Sequence, residues 1–385
     1  LMVGDFAFDM DAGKRAGAVT VFLDNHGEKR LEVKRAFTIS TLEGLPEIIE
    51  MGVPLPAGKL PNHYLKKFLS KFSFKDPSVL VGPAVGEDTA AIDVQGQEVL
   101  VLKSDPVTFV TDSIGLYAVL VSANDIATSG AIPRWMLATL LFPVGTSALE
   151  IHQVMGDLSG ICRHHGISLC GGHTEMTGAV QKPIVSGMMV GTVKKSRLIE
   201  KSNMTPGDVV LLTKRAAVEG TAIIAREFGE KLKKQGLSEE EILTGKRFLS
   251  MLSILEEARI AARCKGVTAM HDVTEGGLAT ALSELSTAGG CKIKIRMEDI
   301  PVYPLTSKLC ALFEISPLGL IGSGSLLICC NKNHVDPLME QIHNAGIEVS
   351  AIGEVLAKGK GVEATRRGKP AAWPSFTADE ITRLS

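Results

Sequence analysis

Pro46, Pro54, Pro56, Gly58 and Pro61 crowd one short stretch of the chain, and that stretch limits what the whole can fold into. Each proline fixes φ and removes a backbone donor, so a run this dense in turn-formers reads as a linker and not as packed structure. A boundary near residue 57 follows, with a short leading piece (1–57) ahead of a long body. At about 150 residues per compact unit, 385 residues hold two or three such units. The body divides again near residue 200, where Gly207-Asp208 precedes a fresh apolar strand, giving 58–200 and 201–385.

Charge narrows the partners. The 41 basic and 43 acidic residues leave a formal charge of −2, so no broad positive field is available to hold nucleic acid or an anionic membrane surface. A small-molecule substrate is the expectation. Seven cysteines, odd in number and without C-x-x-C spacing, point to reduced thiols and a cytoplasmic protein. No apolar run approaches the roughly 18 residues that a membrane span needs.

The hydrophobic pattern alternates strands with helices throughout, which predicts an α+β fold. In the leading piece, 1–3 and 18–23 are expected as strands around a short helix at 12–16. In the body, strands are expected at 98–104, 136–141, 167–170 (buried), 183–193 and 209–213. Helices are expected at 113–129, 148–165, 220–228, 246–262 and 278–288.

Four constellations carry chemistry. The turn Gly82-Pro83-Ala84-Val85-Gly86-Glu87-Asp88 delivers two carboxylates ahead of an apolar strand, and hard cations such as magnesium take oxygen ligands of this kind. Solvated acids on a surface turn would read the same. Lys103-Ser104-Asp105-Pro106 ends a strand on an acid, and is followed by Asp112 and by Ser122-Ala123-Asn124-Asp125 within a helix. Asn and Asp compete with helical backbone, so their place there needs compensation, either from a metal or phosphate or from a buried hydrogen-bond network. Gly171-Gly172-His173-Thr174-Glu175 follows a strand, and paired glycines let backbone N–H groups approach phosphate closely. Last, His271-Asp272-Val273-Thr274-Glu275-Gly276-Gly277 runs into a helix N-terminus, a favourable end for anions, or simply a capped helix. Neither a P-loop nor a strand-linked G-x-G-x-x-G is present.

In this order, these motifs resemble the aminoimidazole ribonucleotide (AIR) synthetase superfamily over about residues 59 to 385. The resemblance implies a two-domain α+β fold and a homodimer in which N-terminal domains build a shared β-barrel. It implies ATP and Mg2+ as cofactors, with Asp88, Asp105 and Asp125 as metal ligands. Asn124, Gly171, Gly172, Thr274, Gly276 and Gly277 would join these acids around the nucleotide, and Asp105, Asn124 and His173 are the expected catalytic positions. The expected activity is phosphoryl transfer from ATP to an oxygen of a small molecule. Ile315-Ser316-Pro317-Leu318-Gly319-Leu320 looks most like the hydrogenase maturation branch, but that branch carries its carbamoyl group on a terminal cysteine. Here no cysteine follows Cys330. A non-catalytic nucleotide-binding maturation scaffold is the alternative reading.

The leading piece has its own resemblance. Val3-Gly4-Asp5, Asp9 and Ala12 to Gly17 look like the final acidic motif of haloacid dehalogenase (HAD)-type phosphatases, with Asp5 and Asp9 as magnesium ligands. This implies a C-terminal fragment of a Rossmann-like domain, completed by upstream sequence in a fusion and inactive as a phosphatase by itself. One half of a bifunctional phosphatase–ATP enzyme is the corresponding alternative.

Overall fold

The computed structural model describes residues 1–24, 37–51, 62–63, 66, 79–81, 84–87, 89–94, 96–108 and 113–384. Two compact units emerge, Leu1–Ala57 and Gly58–Ser385.

In the leading unit, β1 (Met2–Gly4), β2 (Thr20–Leu23) and β3 (Phe37–Ile39) form a parallel sheet in that order. Parallel neighbours need a crossover, and α1 (Ala7–Arg15) supplies it between β1 and β2, burying Met10. The helix starts earlier than the expected residue 12. Asp9 Oδ2 accepts from the Phe6 N–H at 3.2 Å, which satisfies a donor at the helix entry. Asp5 and Asp9 thus both stand at the carboxyl end of β1, although the Asp9 carboxylate is occupied by this local bond. A further helix, α2 (Leu45–Met51), follows β3.

The first half of the large unit is a six-stranded sheet. Its strands are β4 (Val79–Val81), β5 (Ala90–Asp93), β6 (Glu98–Val107), β7 (Ile132–Pro143), β8 (Ser168–Thr177) and β9 (Ile184–Lys194). They lie in the order β4-β5-β6-β9-β7-β8, and only β7 and β8 run parallel. On one face pack α3 (Ile114–Thr128) and α4 (Ala148–His164), the latter started by a reciprocal Ser147–Glu150 cap. Every residue of α3 except Leu116 and Val121 is buried. A helix apolar all round needs cover all round. Ala118, Ala123 and Ile126 meet the sheet, while Tyr117 and Leu120 join a core with Val218, Ile224 and Leu252 of the second half.

The second half is a seven-stranded sheet of β10 (Val209–Thr213), β11 (Val267–Asp272), β12 (Cys291–Arg296), β13 (Leu326–Cys330), β14 (Val349–Lys358), β15 (Val362–Arg366) and β16 (Lys369–Ala371). The order is β11-β13-β10-β14-β12-β15-β16. Its helices are α5 (Val218–Glu227), α6 (Gly229–Lys234), α7 (Glu239–Arg247), α8 (Leu255–Ala261), α9 (Gly277–Gly289), α10 (Pro304–Phe313) and α11 (Val335–Asn344).

Three expectations need correction. The stretch read as a linker from Pro46 onward includes α2, in whose first turn proline is tolerated and which buries Ile48. The helix expected over 246–262 is broken, because α7 gives way to a 3-10 turn at Phe248–Met251 and α8 begins only at Leu255. The strand expected as buried at 167–170 is an edge strand running to Thr177, mostly exposed, with Gly171 and Gly172 inside it and not in a turn beyond it. No helix among the described residues is long and apolar enough to cross a membrane.

Candidate active site

Strand β6 alternates, with Val99 and Val101 buried beneath α3. Lys103 and Asp105 continue that phase, so the strand carries two charges onto a face where the pattern calls for apolar groups. Their partner is on α3. Lys103 Nζ lies 3.0 Å from Asp125 Oδ2 and 3.8 Å from Asp105 Oδ2. The Asp125 side chain is only 3% exposed, against 39% for Asp105, so the deep acid holds the lysine while the shallow one meets solvent.

An ammonium stands beside both acids, and among the described residues no group of three or more His, Cys, Asp or Glu side chains gathers that could hold a metal ion. Asp125 is the closer partner of that lysine. The accessible Asp105 carboxylate still suits magnesium, which takes hard oxygen ligands and needs only one or two from protein. Asp88 and Asp112 lie outside the described residues.

Asn124 has a different occupation from the nucleotide contact that the resemblance implies. Its Nδ2 donates to the Leu252 carbonyl at 2.8 Å, and its Oδ1 accepts from the Ile254 N–H at 3.0 Å. Fully buried, it satisfies two backbone groups that a continuous helix over 246–262 would have paired internally. The break in that helix and the mid-helix asparagine thus have one cause.

The glycine pair serves the sheet. Gly171 and Gly172 have φ of +146° and +150°, and a Cβ on Gly172 would lie 1.8 Å from the Ala138 carbonyl oxygen. Only glycine permits this backbone beside β7. The registers Asp105–Gly187–Ala138–Gly172 and Pro106–Ser186–Thr139–His173 cross the sheet side by side. Cross-strand partners share a face, so Gly172 lies on the Asp105 side and His173 on the opposite one. Within one chain, His173 does not join the acids. It is 65% exposed and lies 3.2 Å from Glu175.

The second-half loop is occupied by the chain itself. The Gly276 N–H donates to Asp379 Oδ2 at 2.6 Å, Gly277 N–H to the Thr274 carbonyl at 3.0 Å, and Ala279 N–H to the Leu318 carbonyl at 2.9 Å. Donors expected to face phosphate are thus spent on capping α9. A Cβ on Gly277 would strike the Leu318 and Leu320 carbonyls at 2.6 and 2.7 Å, which explains the glycine by packing. The Gly-Glu turn of the first half docks nearby, since a Cβ on Gly86 would lie 2.4 Å from the Glu284 carbonyl oxygen of α9.

Two buried acids in this region escaped the sequence reading. Burial pushes Asp379 up to about 6, against three backbone N–H bonds that lower it. Burial likewise pushes Glu219 up to about 7, opposed by hydrogen bonding to Ser323. A carboxyl raised above its unfolded value holds extra protons in the folded state, so its contribution favours folding at low pH and is lost as pH rises from about 4.5 to about 7. Glu219→Gln keeps an acceptor for Ser323 and removes the ionisation. Its melting temperature should fall less between pH 5 and pH 8 than that of the unaltered chain; equal falls would refute the assignment. Asp379 has no local signature in the sequence, but Lys103 did have one, in phase with Val99 and Val101.

Comparison with known proteins follows this geometry. The AIR synthase related protein N-terminal domain matches residues 86–193 and its C-terminal domain residues 205–365. Carbamoyl dehydratase HypE of Cupriavidus necator is 26% identical over 288 residues, covering 71% of this chain and 78% of its own. Hydrogenase maturation protein HypE in complex with ATP superposes with a TM-score of 0.62 at 19% identity, over 86% of this chain and 98% of that one. AaThiL complexed with AMPPCP and TMP gives 0.61 at 20% identity, over 91% and 100%. The leading unit lies outside both matched domains. With both domains present in order and spanning well over half of its length, the chain belongs to the AIR synthase-related proteins.

Proposed function

We propose that this chain binds ATP at the Lys103–Asp105–Asp125 corner and passes its γ-phosphoryl group to an oxygen of a small molecule. The observation that carries the reading is a lysine on a sheet face, anchored by a buried acid and flanked by an accessible one. Phosphoryl transfer asks mainly for positioned charge, and needs no protein nucleophile. The acceptor oxygen attacks the γ-phosphorus, the bond to the ADP oxygen breaks, and the acceptor proton is released. Lys103 would bind phosphate oxygens, and Asp125 would fix its direction. Asp105, with Asp88, would hold magnesium, which supplies charge neutralisation at the phosphates. The HypE–ATP and AaThiL–AMPPCP complexes, which share the fold, support the choice of nucleotide. Turnover tests it: ATP hydrolysis or transfer should fall at least a hundredfold in Asp105→Ala, and an unaffected rate would remove Asp105 from the site.

The open face of the first sheet supports a homodimer. Trp135, Leu137 and Met188 lie there 38–43% exposed, an apolar patch in strands whose other face is covered by helices. Leu137→Glu should convert a dimer to a monomer in sedimentation velocity, whereas a chain already monomeric would sink the idea. In such a dimer His173 and Glu175, on the same open face, would approach the partner.

A further inference from the structure

A cavity of about 690 Å³ opens at the other end of the first sheet, between the ends of α3 and α4 and the start of α8. Along β6, Glu98 borders it while Asp105 lies in the candidate active site, about 23 Å away at about 3.3 Å per residue. Its wall carries five cationic side chains, Arg134, Lys194, Arg197, Arg259 and Arg263, against two carboxylates, Glu98 and Glu256.

Local structure accounts for only part of this charge. Arg259 is paired with Glu256. The carboxyl-terminal ends of α3 and α4 reach the cavity, and each attracts cations with about half a negative charge. Two helix ends and two carboxylates thus balance about three of the five cations. Among the described residues, Arg134, Lys194, Arg197 and Arg263 enter no close ion pair, although Arg134 lies over the Trp135 ring at 5.2 Å and Arg263 stands in the field of Glu256, in a chain whose formal charge is −2. The five cationic residues are exposed, so water and salt screen part of their repulsion, and an anion bound among them would offset the rest. Two histidines, His164 and His165, share the wall with ring centroids 4.8 Å apart. Burial and then the neighbouring His164 hold His165 below its ordinary value, so at neutral pH it offers a neutral N–H and adds no further repulsion. Between these groups Ile132, Pro133 and Leu255 supply an apolar surface.

We infer that this cavity binds a small organic phosphate, its phosphate taken by Arg197, Arg263 and Lys194 and its body resting on the Ile132–Pro133–Leu255 surface. Arginine matches phosphate by paired, directed hydrogen bonds, and the volume falls within the range of small-ligand sites. Residues from both halves of the large unit line the site, Arg134 and Lys194 from the first sheet and Arg263 from beyond α8. Occupancy would therefore tie the halves together from a place that the proposed ATP chemistry does not use.

The test is calorimetric titration of the full chain with AMP and with ribose 5-phosphate, without magnesium, at about 0.1 M salt, near a Debye length of 10 Å. At least one of the two should bind the unaltered chain and Asp105→Ala alike, and bind at least tenfold more weakly to Arg197→Gln and to Arg263→Gln. Melting temperatures identify folded variants, and either arginine variant suffices if the other fails to fold. Absence of binding by both probes overturns the inference. So does binding unchanged in a folded arginine variant, or binding lost in Asp105→Ala, which would place the phosphate in the candidate active site. None of these results bears on Asp105-dependent turnover of ATP.

Discussion

Lys103→Met should lower the unfolding free energy by about 3 to 5 kcal/mol, measured by urea denaturation at pH 7. The expectation comes from burial. Asp125 is 3% exposed and its carboxylate lies 3.0 Å from Lys103 Nζ, so removing the ammonium takes the close opposite charge away from a carboxylate that little water reaches. Replacing both members of a buried pair with apolar residues is far less damaging than removing one. The double substitution Lys103→Met with Asp125→Leu should therefore recover most of the loss in stability. It should not recover nucleotide binding, because the charge facing the phosphates is gone. A single variant within about 1 kcal/mol of the unaltered chain would show that the pair is not the anchor described here.

Asn124→Leu should cost about 2 to 6 kcal/mol while leaving the acids of the candidate site in place. Leucine keeps the branching of asparagine at Cγ, although it is bulkier, but it leaves the Leu252 carbonyl and the Ile254 N–H without the partners they now have at 2.8 and 3.0 Å. Each buried orphan costs about 1 to 3 kcal/mol. The structural role separates cleanly from a nucleotide role. Loss of stability with ATP affinity retained in the folded fraction is the expected result; loss of affinity at unchanged stability would return Asn124 to the nucleotide.

These two residues also show how far the sequence could be read. The apolar run around Asn124 was legible as a helix, observed at Ile114–Thr128, because thirteen of its residues need cover and the length is right. The asparagine within it was legible as something requiring compensation, and the structure supplies it as a buried hydrogen-bond network. What periodicity could not show was the partner, since Leu252 and Ile254 lie far along the chain inside a run that reads as one helix. Long-range pairing, not local propensity, broke that run. Gly171 and Gly172 failed for a similar reason: a glycine pair signals unusual torsions, but whether a turn or a strand needs them depends on Ala138 across β7. Lys103 was more accessible to inference. A lysine in phase with Val99 and Val101 breaks a buried face, and only a partner such as Asp125 makes that tolerable. The loop at Thr274–Gly277 was legible as a helix start, but its anion turned out to be internal, supplied by Asp379 from the end of the chain.

The central claim is that the Lys103–Asp105–Asp125 corner is a nucleotide site. Calorimetric titration of the full chain with a non-hydrolysable ATP analogue, with and without magnesium and repeated on Asp105→Ala, tests it most directly. Magnesium-dependent binding that weakens at least tenfold in the variant is the expected result. Absence of binding to either protein, or equal binding to both, would contradict it.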